Sequence, residues 1–359
     1  MTDRSTAHPD FCKFIAAAVV SLALLSSASA QSLKDSNCTG KFDISHDQQI
    51  SGCNEAIAAG RFTGKDLAAA FNNRGVAYQA KGDIDRAIAD YGQAISIVPD
   101  YAMAHSNRGQ AYQIGGDDDR ALADYDAAIK IDPNYARAYD NRGSVYGNKG
   151  DPDRAIADYD QAIRLDPGLA HAYSNRGSAH ADKGDYDHAI ADLNKAISLD
   201  PNFVQSWYDR GVAYSLKKDY DRAIADYDRV IRLQPGLIIA WNNRGLAYMG
   251  KNDPDHAMAD YNEAIRLNPK FAVAFNNRGT SFVRKKDYAH AIADYSEAFR
   301  LDPDYAAALF RRGIVKRLNG DKAGGDADVA AAKKLDPAGR VKARPSPLIA
   351  HARHANGLP

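Results

Sequence analysis

The tripeptide Asn-Arg-Gly, or a close variant, recurs along this chain at a spacing that never changes. Its glycine falls every 34 residues, in eight copies. A fixed period of this length indicates a solenoid, in which one supersecondary unit stacks repeatedly on itself. Such proteins usually bind partners along an extended surface. The eight glycines are Gly75, Gly109, Gly143, Gly177, Gly211, Gly245, Gly279 and Gly313.

Length and charge limit the organisation and the partners of the chain. Eight units fill 68–339 of the 359 residues. Lys+Arg and Asp+Glu both number 46, so the net charge is zero. A neutral chain has no global field to attract nucleic acid or an anionic membrane, so neither is expected as a partner. The predicted repeats are 68–101, 102–135, 136–169, 170–203, 204–237, 238–271, 272–305 and 306–339.

The first 30 residues have the pattern of a secretory signal peptide. Arg4 and Lys13 are basic, Phe14 to Leu25 is apolar, and Ala28-Ser29-Ala30 fits a small-residue cleavage site. The alternative is an uncleaved membrane anchor, for which the apolar stretch is short. We expect cleavage, no stable membrane insertion afterwards, and a periplasmic location in a Gram-negative bacterium, or secretion.

Two segments flank the repeats. Cys38 and Cys53 would be the only cysteines of a cleaved chain, and an even pair in an exported protein indicates a disulfide. Two free thiols are the alternative. Gln48 to Ala59 has helical spacing, so 31–67 is interpreted as a disulfide-pinned cap on the first repeat. The tail 340–359 is basic, contains three prolines and is expected to be disordered.

Within each 34-residue unit, the same residue types return at the same positions. An aromatic residue is frequent at position 4, Arg-Gly fills positions 7 and 8, and an aromatic is frequent at position 11. Alanine is the rule at position 20, tyrosine at position 24, and proline fills position 32. This pattern resembles the tetratricopeptide repeat (TPR), with arginine in place of the family's leucine at position 7. The resemblance implies an all-α, right-handed superhelical solenoid of antiparallel helix pairs, whose first helices line a concave face.

Local signals place the two helices of each unit. Position 15 is glycine, asparagine or lysine, and a glycine there suits the left-handed residue that follows a helix. Position 16 is aspartate in every copy, from Asp83 to Asp321, and predicts an N-cap for the second helix. The proline at position 32 ends that helix.

Two charges recur in step and predict an ion-pair ladder. Position 7 is arginine and position 23 is aspartate in all eight copies. In the TPR fold these positions face each other across the helix pair, so we expect an Arg–Asp ladder along the stack. Arginine at position 19 lies one turn before that aspartate and is expected to share it. The alternative is separate surface charges.

Asparagine at position 6 is the candidate ligand-binding residue. It resembles the asparagine ladder inside the TPR superhelix of O-linked GlcNAc transferases, where side-chain amides hold an extended peptide by its backbone. An amide offers a donor and an acceptor to any peptide unit. The alternative is a local role, in which the asparagine bonds a neighbouring helix or loop. The predicted peptide-binding asparagines are Asn73, Asn107, Asn141, Asn175, Asn243 and Asn277.

The other inward positions are expected at 2, 5, 9, 12 and 13, and they change character along the chain. They are mostly polar in the first repeats and more apolar towards the C-terminus, which predicts an apolar contact for a partner. The candidates are Tyr208, Leu246, Met249 and Phe310. We expect a non-enzymatic scaffold that binds a protein or an extended peptide. The alternative is a structural subunit or assembly factor of a cell-envelope or secretion complex, with possible self-association.

The sequence offers no motif for catalysis. No phosphate-binding loop, nucleophile elbow or zinc-binding spacing is present, and the carboxylates recur at fixed repeat positions. No catalytic residue, metal site or cofactor is therefore predicted.

Overall fold

The computed structural model of the chain describes residues 37–38 and 44–336. This part consists of seventeen α-helices and contains no strand, which confirms the all-α class. It falls into two compact units, unit 1 ending at Asp166 and unit 2 beginning at Pro167. The predicted signal segment 1–30 and the tail 340–359 lie outside the described residues.

Unit 1 contains seven helices, and after α1 they form three antiparallel pairs. The second helix of each pair also packs on the first helix of the next. The seven are α1 His46–Ala58, α2 Gly64–Ala80, α3 Ile84–Ile97, α4 Ala102–Ile114, α5 Asp118–Ile131, α6 Ala136–Asn148 and α7 Pro152–Leu165.

Unit 2 contains ten helices in five pairs of the same kind. They are α8 Ala170–Asp182, α9 Tyr186–Leu199, α10 Val204–Leu216, α11 Tyr220–Leu233, α12 Ile238–Gly250, α13 Pro254–Leu267, α14 Ala272–Arg284, α15 Tyr288–Leu301, α16 Ala306–Leu318 and α17 Lys322–Leu335.

The predicted signals set the helix ends. The Asp83 carboxylate accepts a hydrogen bond from the backbone N–H of Arg86, and the aspartate at position 16 caps the second helix in all eight pairs. The residue before this cap has a positive φ. Where it is not glycine, as at Lys218 and Asn252, φ is still 62°. The sharp turn is therefore kept even without glycine.

The repeated glycine allows the two helices of a pair to approach closely. A Cβ at Gly245 would lie 2.6 Å from Cε1 of Tyr261, and one at Gly75 would lie 2.7 Å from the same atom of Tyr91. The alanine at position 20 and the tyrosine at position 24 are buried beside it, as Ala87 and Tyr91 are in the first pair. Any side chain at position 8 would therefore displace the core ring.

The Arg–Asp ladder is confirmed. In each pair, Nε and Nη2 of the position-7 arginine donate to the two carboxylate oxygens of the aspartate sixteen residues later. Nη1 of Arg244 also reaches Asp228 on the second helix of the preceding pair, at 2.5 Å. Arg244 thus joins the two helices of its own pair and also fixes the register of this pair against the previous one.

The predicted sharing of that aspartate by the position-19 arginine is wrong. Arg120 instead pairs with the capping Asp117, Nε to Oδ2 at 2.5 Å, and its guanidinium lies 4.3 Å from the ring centre of Tyr112. Two causes explain the difference. The cap is only three residues away, and Asp124 already holds Arg108 through both oxygens.

The N-terminal cap contains the predicted disulfide. Cys38 and Cys53 are bonded, their Cα atoms are 4.5 Å apart, and both side chains are fully buried beside Ala70. Helix α1 begins at a capping box between Ser45 and Gln48. Helix α2 begins at Gly64, four residues before the first predicted repeat, because Lys65 occupies the place where later repeats carry the helix-stopping proline.

Candidate peptide-binding face

One face of each first helix carries positions 2, 6, 9 and 13 of the repeat. Residues spaced i, i+4, i+7 and i+11 lie on the same side of a helix. We call the set in unit 1 the N-terminal stripe. It consists of Ala69, Asn73, Val76 and Ala80 on α2, Met103, Asn107, Gln110 and Ile114 on α4, and Arg137, Asn141, Ser144 and Asn148 on α6.

The N-terminal stripe is accessible along its whole length. None of its twelve residues is buried. Its apolar members are open to solvent, with Val76 at 42%, Met103 at 48% and Ile114 at 57% exposure. Large exposed apolar side chains in line with polar ones are typical of a surface that contacts a partner.

Two of the three stripe asparagines already bond to the preceding unit. Nδ2 of Asn107 donates to Oδ1 of Asn72 at 2.9 Å, and Nδ2 of Asn73 donates to the backbone carbonyl of Cys38 at 3.2 Å. In both cases the acceptor lies 35 residues earlier. The half-buried amide of Asn141 has no hydrogen-bond partner in the described part of the chain, because the residue at this separation is the short, buried Ser106.

The same face in unit 2 is called the C-terminal stripe, and two side chains in its middle are buried. Asn243 and Asn277, at 0% and 1% exposure, are buried, whereas Asn175 is half-buried. The C-terminal stripe consists of His171, Asn175, Ser178, Asp182, Gln205, Asp209, Val212, Leu216, Ile239, Asn243, Leu246, Gly250, Val273, Asn277, Thr280, Arg284, Ala307, Arg311, Ile314 and Leu318.

The buried asparagines of unit 2 form a hydrogen-bonded chain between first helices. Nδ2 of Asn277 donates to Oδ1 of Asn242 at 2.8 Å, and Nδ2 of Asn242 donates to Oδ1 of Asn243. Nδ2 of Asn243 then donates to the hydroxyl of Tyr208 at 2.9 Å. The local role considered from the sequence therefore describes Asn243 and Asn277, whose side chains do not face solvent.

The predicted apolar site residues of unit 2 are less accessible than expected. Tyr208 is buried at 1% exposure and packs against Tyr227, with ring centres 6.0 Å apart. Leu246, Met249 and Phe310 are half-buried. A ligand cannot reach Tyr208, because its ring fills the space between helices and its hydroxyl accepts from Asn243.

The expected change from polar to apolar along the inward positions has three exceptions in unit 1. The N-terminal stripe carries Val76, Met103 and Ile114, which are as exposed as Leu216 at 40% and Ile314 at 36% in unit 2. Sequence reasoning missed these three residues, although their spacing at positions 2, 9 and 13 could have revealed them. Leu318 of unit 2, at 58%, is also open.

Gln79, next to the N-terminal stripe, is held in place by two hydrogen bonds. The hydroxyl of Tyr91 donates to Oε1 of Gln79 at 3.0 Å, and Nε2 of Gln79 donates to Oε1 of Gln110 at 2.9 Å. Burial raises the pKa of Tyr91, so its hydroxyl stays protonated and able to donate. In unit 2 the buried hydroxyl of Tyr261 has no partner among the described residues, because Met249 stands where the first two pairs of unit 1 have Gln79 and Gln113.

Two kinds of feature are absent from the described residues. They contain no group of three or more His, Cys, Asp or Glu side chains placed to hold a metal ion. Residues 37–38 and 44–336 also include no helix that is both long and apolar enough to cross a membrane.

Comparison with known structures identifies relatives of the fold. A chain of the APC/C hetero-tetramer Cut9–Hcn1 matches with a TM-score of 0.60 and 18% identity, covering 76% of this chain and 52% of that one, so this chain spans about half its length. A tetratricopeptide repeat protein from Parabacteroides merdae matches with a TM-score of 0.52 and 19% identity, covering 69% and 98%. At these identities the likeness concerns the fold. No curated protein sequence matches.

Sequence profiles cover most of the repeat region. Profiles described as TPR repeat match residues 75–115, 114–150 and 279–320. Profiles described as tetratricopeptide repeat match residues 141–202 and 175–238, and a further one matches residues 238–271. Together with the stacked helix pairs of both units, these matches show that the chain belongs to the tetratricopeptide repeat family.

Proposed function

We propose that this TPR protein is a non-enzymatic scaffold that binds an extended segment of a partner protein along the N-terminal stripe. The observation that carries the proposal is the amide of Asn141, which is half-exposed on an open face and has no partner in the described part of the chain. The buried asparagines of unit 2 have such partners. An amide that is both accessible and unengaged is suited to pair with a ligand.

The chemistry of the stripe suits a peptide backbone flanked by apolar side chains. The Asn141 amide can donate to a carbonyl and accept from an N–H of the same peptide. Each such bond contributes about 0.5–1.5 kcal/mol, so contact with exposed apolar groups has to supply the rest of the affinity. Met103 and Ile114 offer that apolar area. Asn175, Leu246, Met249 and Phe310, which are half-buried in unit 2, are candidates for a second contact.

We also propose that the protein works in an oxidising compartment, such as the bacterial periplasm. The support is the buried Cys38–Cys53 disulfide, since disulfides persist mainly outside the reducing cytosol. The sequence pattern of residues 1–30 agrees with export.

The proposal is tested by selecting decapeptides from a random displayed library on the purified mature protein. Peptides that the wild type enriches are then synthesised, and their affinities are measured by fluorescence anisotropy. We expect Asn141→Ala and Ile114→Ser each to weaken binding about threefold or more, corresponding to a single hydrogen bond or apolar contact.

Leu199→Ser is the matched control. Leu199 is an exposed leucine, at 36%, at the end of the second helix α9 and therefore outside both stripes. Its replacement should leave the affinity unchanged. Absence of any enriched peptide would reject the proposal, and so would selected peptides that bind all three variants as tightly as the wild type.

A further inference from the structure

Arg137 carries an unpaired charge on the N-terminal stripe. Its side chain is exposed at the start of α6, and it makes no ion pair or hydrogen bond with any described residue. The arginines at positions 7 and 19 of unit 1 are all ion-paired with aspartates, namely Arg74, Arg86, Arg108, Arg120, Arg142 and Arg154. The guanidinium of Arg137 thus remains available to another molecule.

No carboxylate of the described residues forms an ion pair with Arg137. The twelve residues of the N-terminal stripe include no Asp or Glu. Asp140, three residues later on α6, is buried and forms no ion pair with Arg137. On a chain with equal numbers of acidic and basic residues, an acid-free stripe with one open guanidinium is complementary to an anionic group.

The residues near Arg137 indicate which other groups a ligand with an anionic group would carry. Asn141 lies four residues later on the same face of α6, so its amide is next to the guanidinium. Met103 occupies the equivalent position one repeat earlier, and Ile114 ends the same helix, α4. A guanidinium binds a carboxylate through two parallel hydrogen bonds, while the amide pairs with a peptide unit.

We infer that the N-terminal stripe binds an extended peptide in which an Asp or Glu side chain contacts Arg137 and apolar side chains contact Met103 and Ile114. The inference rests on the proposed function and names the class of partner. We assign the carboxylate to a side chain and not to a chain terminus. Stripe residues extend from Arg137 in two directions, to Met103 on α4 and to Asn141–Asn148 along α6, so a bound chain can continue past its acidic residue.

The size of the effect follows from exposure. Ion pairs between exposed groups contribute about 0.2–1 kcal/mol, which corresponds to a factor of up to about five in affinity. Such a contact should change the residue preference of the selected peptides more clearly than their affinity. Because salt screens the charges, the contact weakens as the ionic strength rises.

The test uses the displayed decapeptide library, fused through its C-terminal end so that no peptide has a free C-terminal carboxylate. Selection is run on the wild type, Arg137→Glu and the control Lys130→Glu, an exposed lysine on α5 outside the stripe. We expect the wild type and the control to enrich Asp and Glu together with apolar residues. Arg137→Glu should lose the acidic preference and gain a basic one.

The two proposals fail in different ways. If no peptide is enriched on any protein, the proposed function fails. If peptides are enriched but Arg137→Glu selects the same acidic residues as the wild type, or the wild type shows no acidic preference, only the assignment to Arg137 is overturned.

A selected peptide then tests the pairing directly. Replacing its acidic residue by the amide should weaken binding to the wild type about two- to fivefold, and should have no effect on Arg137→Gln. Equal losses on both proteins would overturn the contact. Peptides with a free or an amidated C-terminus should bind alike, and a requirement for the free terminus would overturn the side-chain assignment.

Discussion

The position-6 asparagine has two outcomes, one seen at Asn243 and Asn277 of unit 2 and at Asn107 of unit 1, and the other at Asn141 of unit 1. In unit 2, Asn277 reaches the amide of Asn242 and Asn243 reaches the hydroxyl of Tyr208, so both position-6 side chains are buried between first helices. In unit 1, Asn141 has the short Ser106 at the corresponding site, and its amide remains open. The residue at position 5 of the preceding repeat therefore decides whether the asparagine joins repeats or is available to a ligand.

The largest expected effect concerns the N-terminal end of unit 1. Reduction of Cys38–Cys53 should destabilise α1 and α2 by about 3 kcal/mol, the entropy of a closed loop of this length. Hydrogen exchange with and without a thiol reductant measures it. Exchange should rise in α1 and α2 and remain unchanged in α13.

The double variant Cys38→Ser, Cys53→Ser is the control, and the reductant should not change its exchange further. Unchanged exchange of α1 in the wild-type protein after complete reduction would mean that the disulfide does not hold the cap. A rise of equal size in α13 would show that the effect is not confined to unit 1.

The next effect compares the two kinds of asparagine. Asn277→Ala should lower the free energy of unfolding of unit 2 by about 1–3 kcal/mol, because it leaves buried Asn242 without a donor. Asn141→Ala, at an accessible and unengaged site, should change stability by less than about 0.5 kcal/mol. Urea denaturation of the two variants gives both values, and equal losses would remove the distinction between the stripes.

A smaller effect should give one pair of unit 2 the tyrosine–glutamine hydrogen bond of the first two pairs of unit 1. Met249→Gln places a carbonyl near the unpartnered hydroxyl of Tyr261, as Gln113 does for Tyr125 at 3.1 Å. The added hydrogen bond should stabilise the variant by about 1 kcal/mol. Thermal unfolding measures the gain, with Met249→Leu as the apolar control. A glutamine variant no more stable than the leucine variant would contradict this explanation.

The smallest effect distinguishes two rungs of the Arg–Asp ladder. Burial alone would raise the pKa of Asp124, but bonds from Arg108 and His105 hold it below 3.8. Burial raises the pKa of Asp260 above 3.8, although Arg244 opposes the rise. Carbon-detected NMR titration of the carboxyl groups should find their midpoints on opposite sides of that value.

The sign of the stability change follows from these directions. The contribution of Asp124 is present above its ordinary pKa and is lost as the pH falls through the lowered one. For Asp260, charge burial opposes folding above its raised pKa, and acid relieves that cost. His105→Phe should move the Asp124 midpoint upward. An unmoved midpoint would show that His105 does not contribute.

Much of the fold could be predicted from the sequence, because many of its repeated residues make only local contacts. The capping aspartates, the core tyrosines and the position-7 arginines act within one pair or its neighbour, so their spacing along the chain determines their partners. The binding face was less predictable. Whether Asn243 is buried depends on the size of Tyr208 in another helix. The exposure of Ile114 depends on how neighbouring first helices pack. Neither property belongs to a single repeat.

We expect ligands to contact the N-terminal stripe. Photo-cross-linking tests it most directly, with a selected decapeptide that carries a diazirine side chain and with cross-links located by mass spectrometry. We expect cross-links on α4 and α6, at or beside Met103, Ile114 and Asn141. Cross-links confined to α12 and α14 of unit 2 would contradict it.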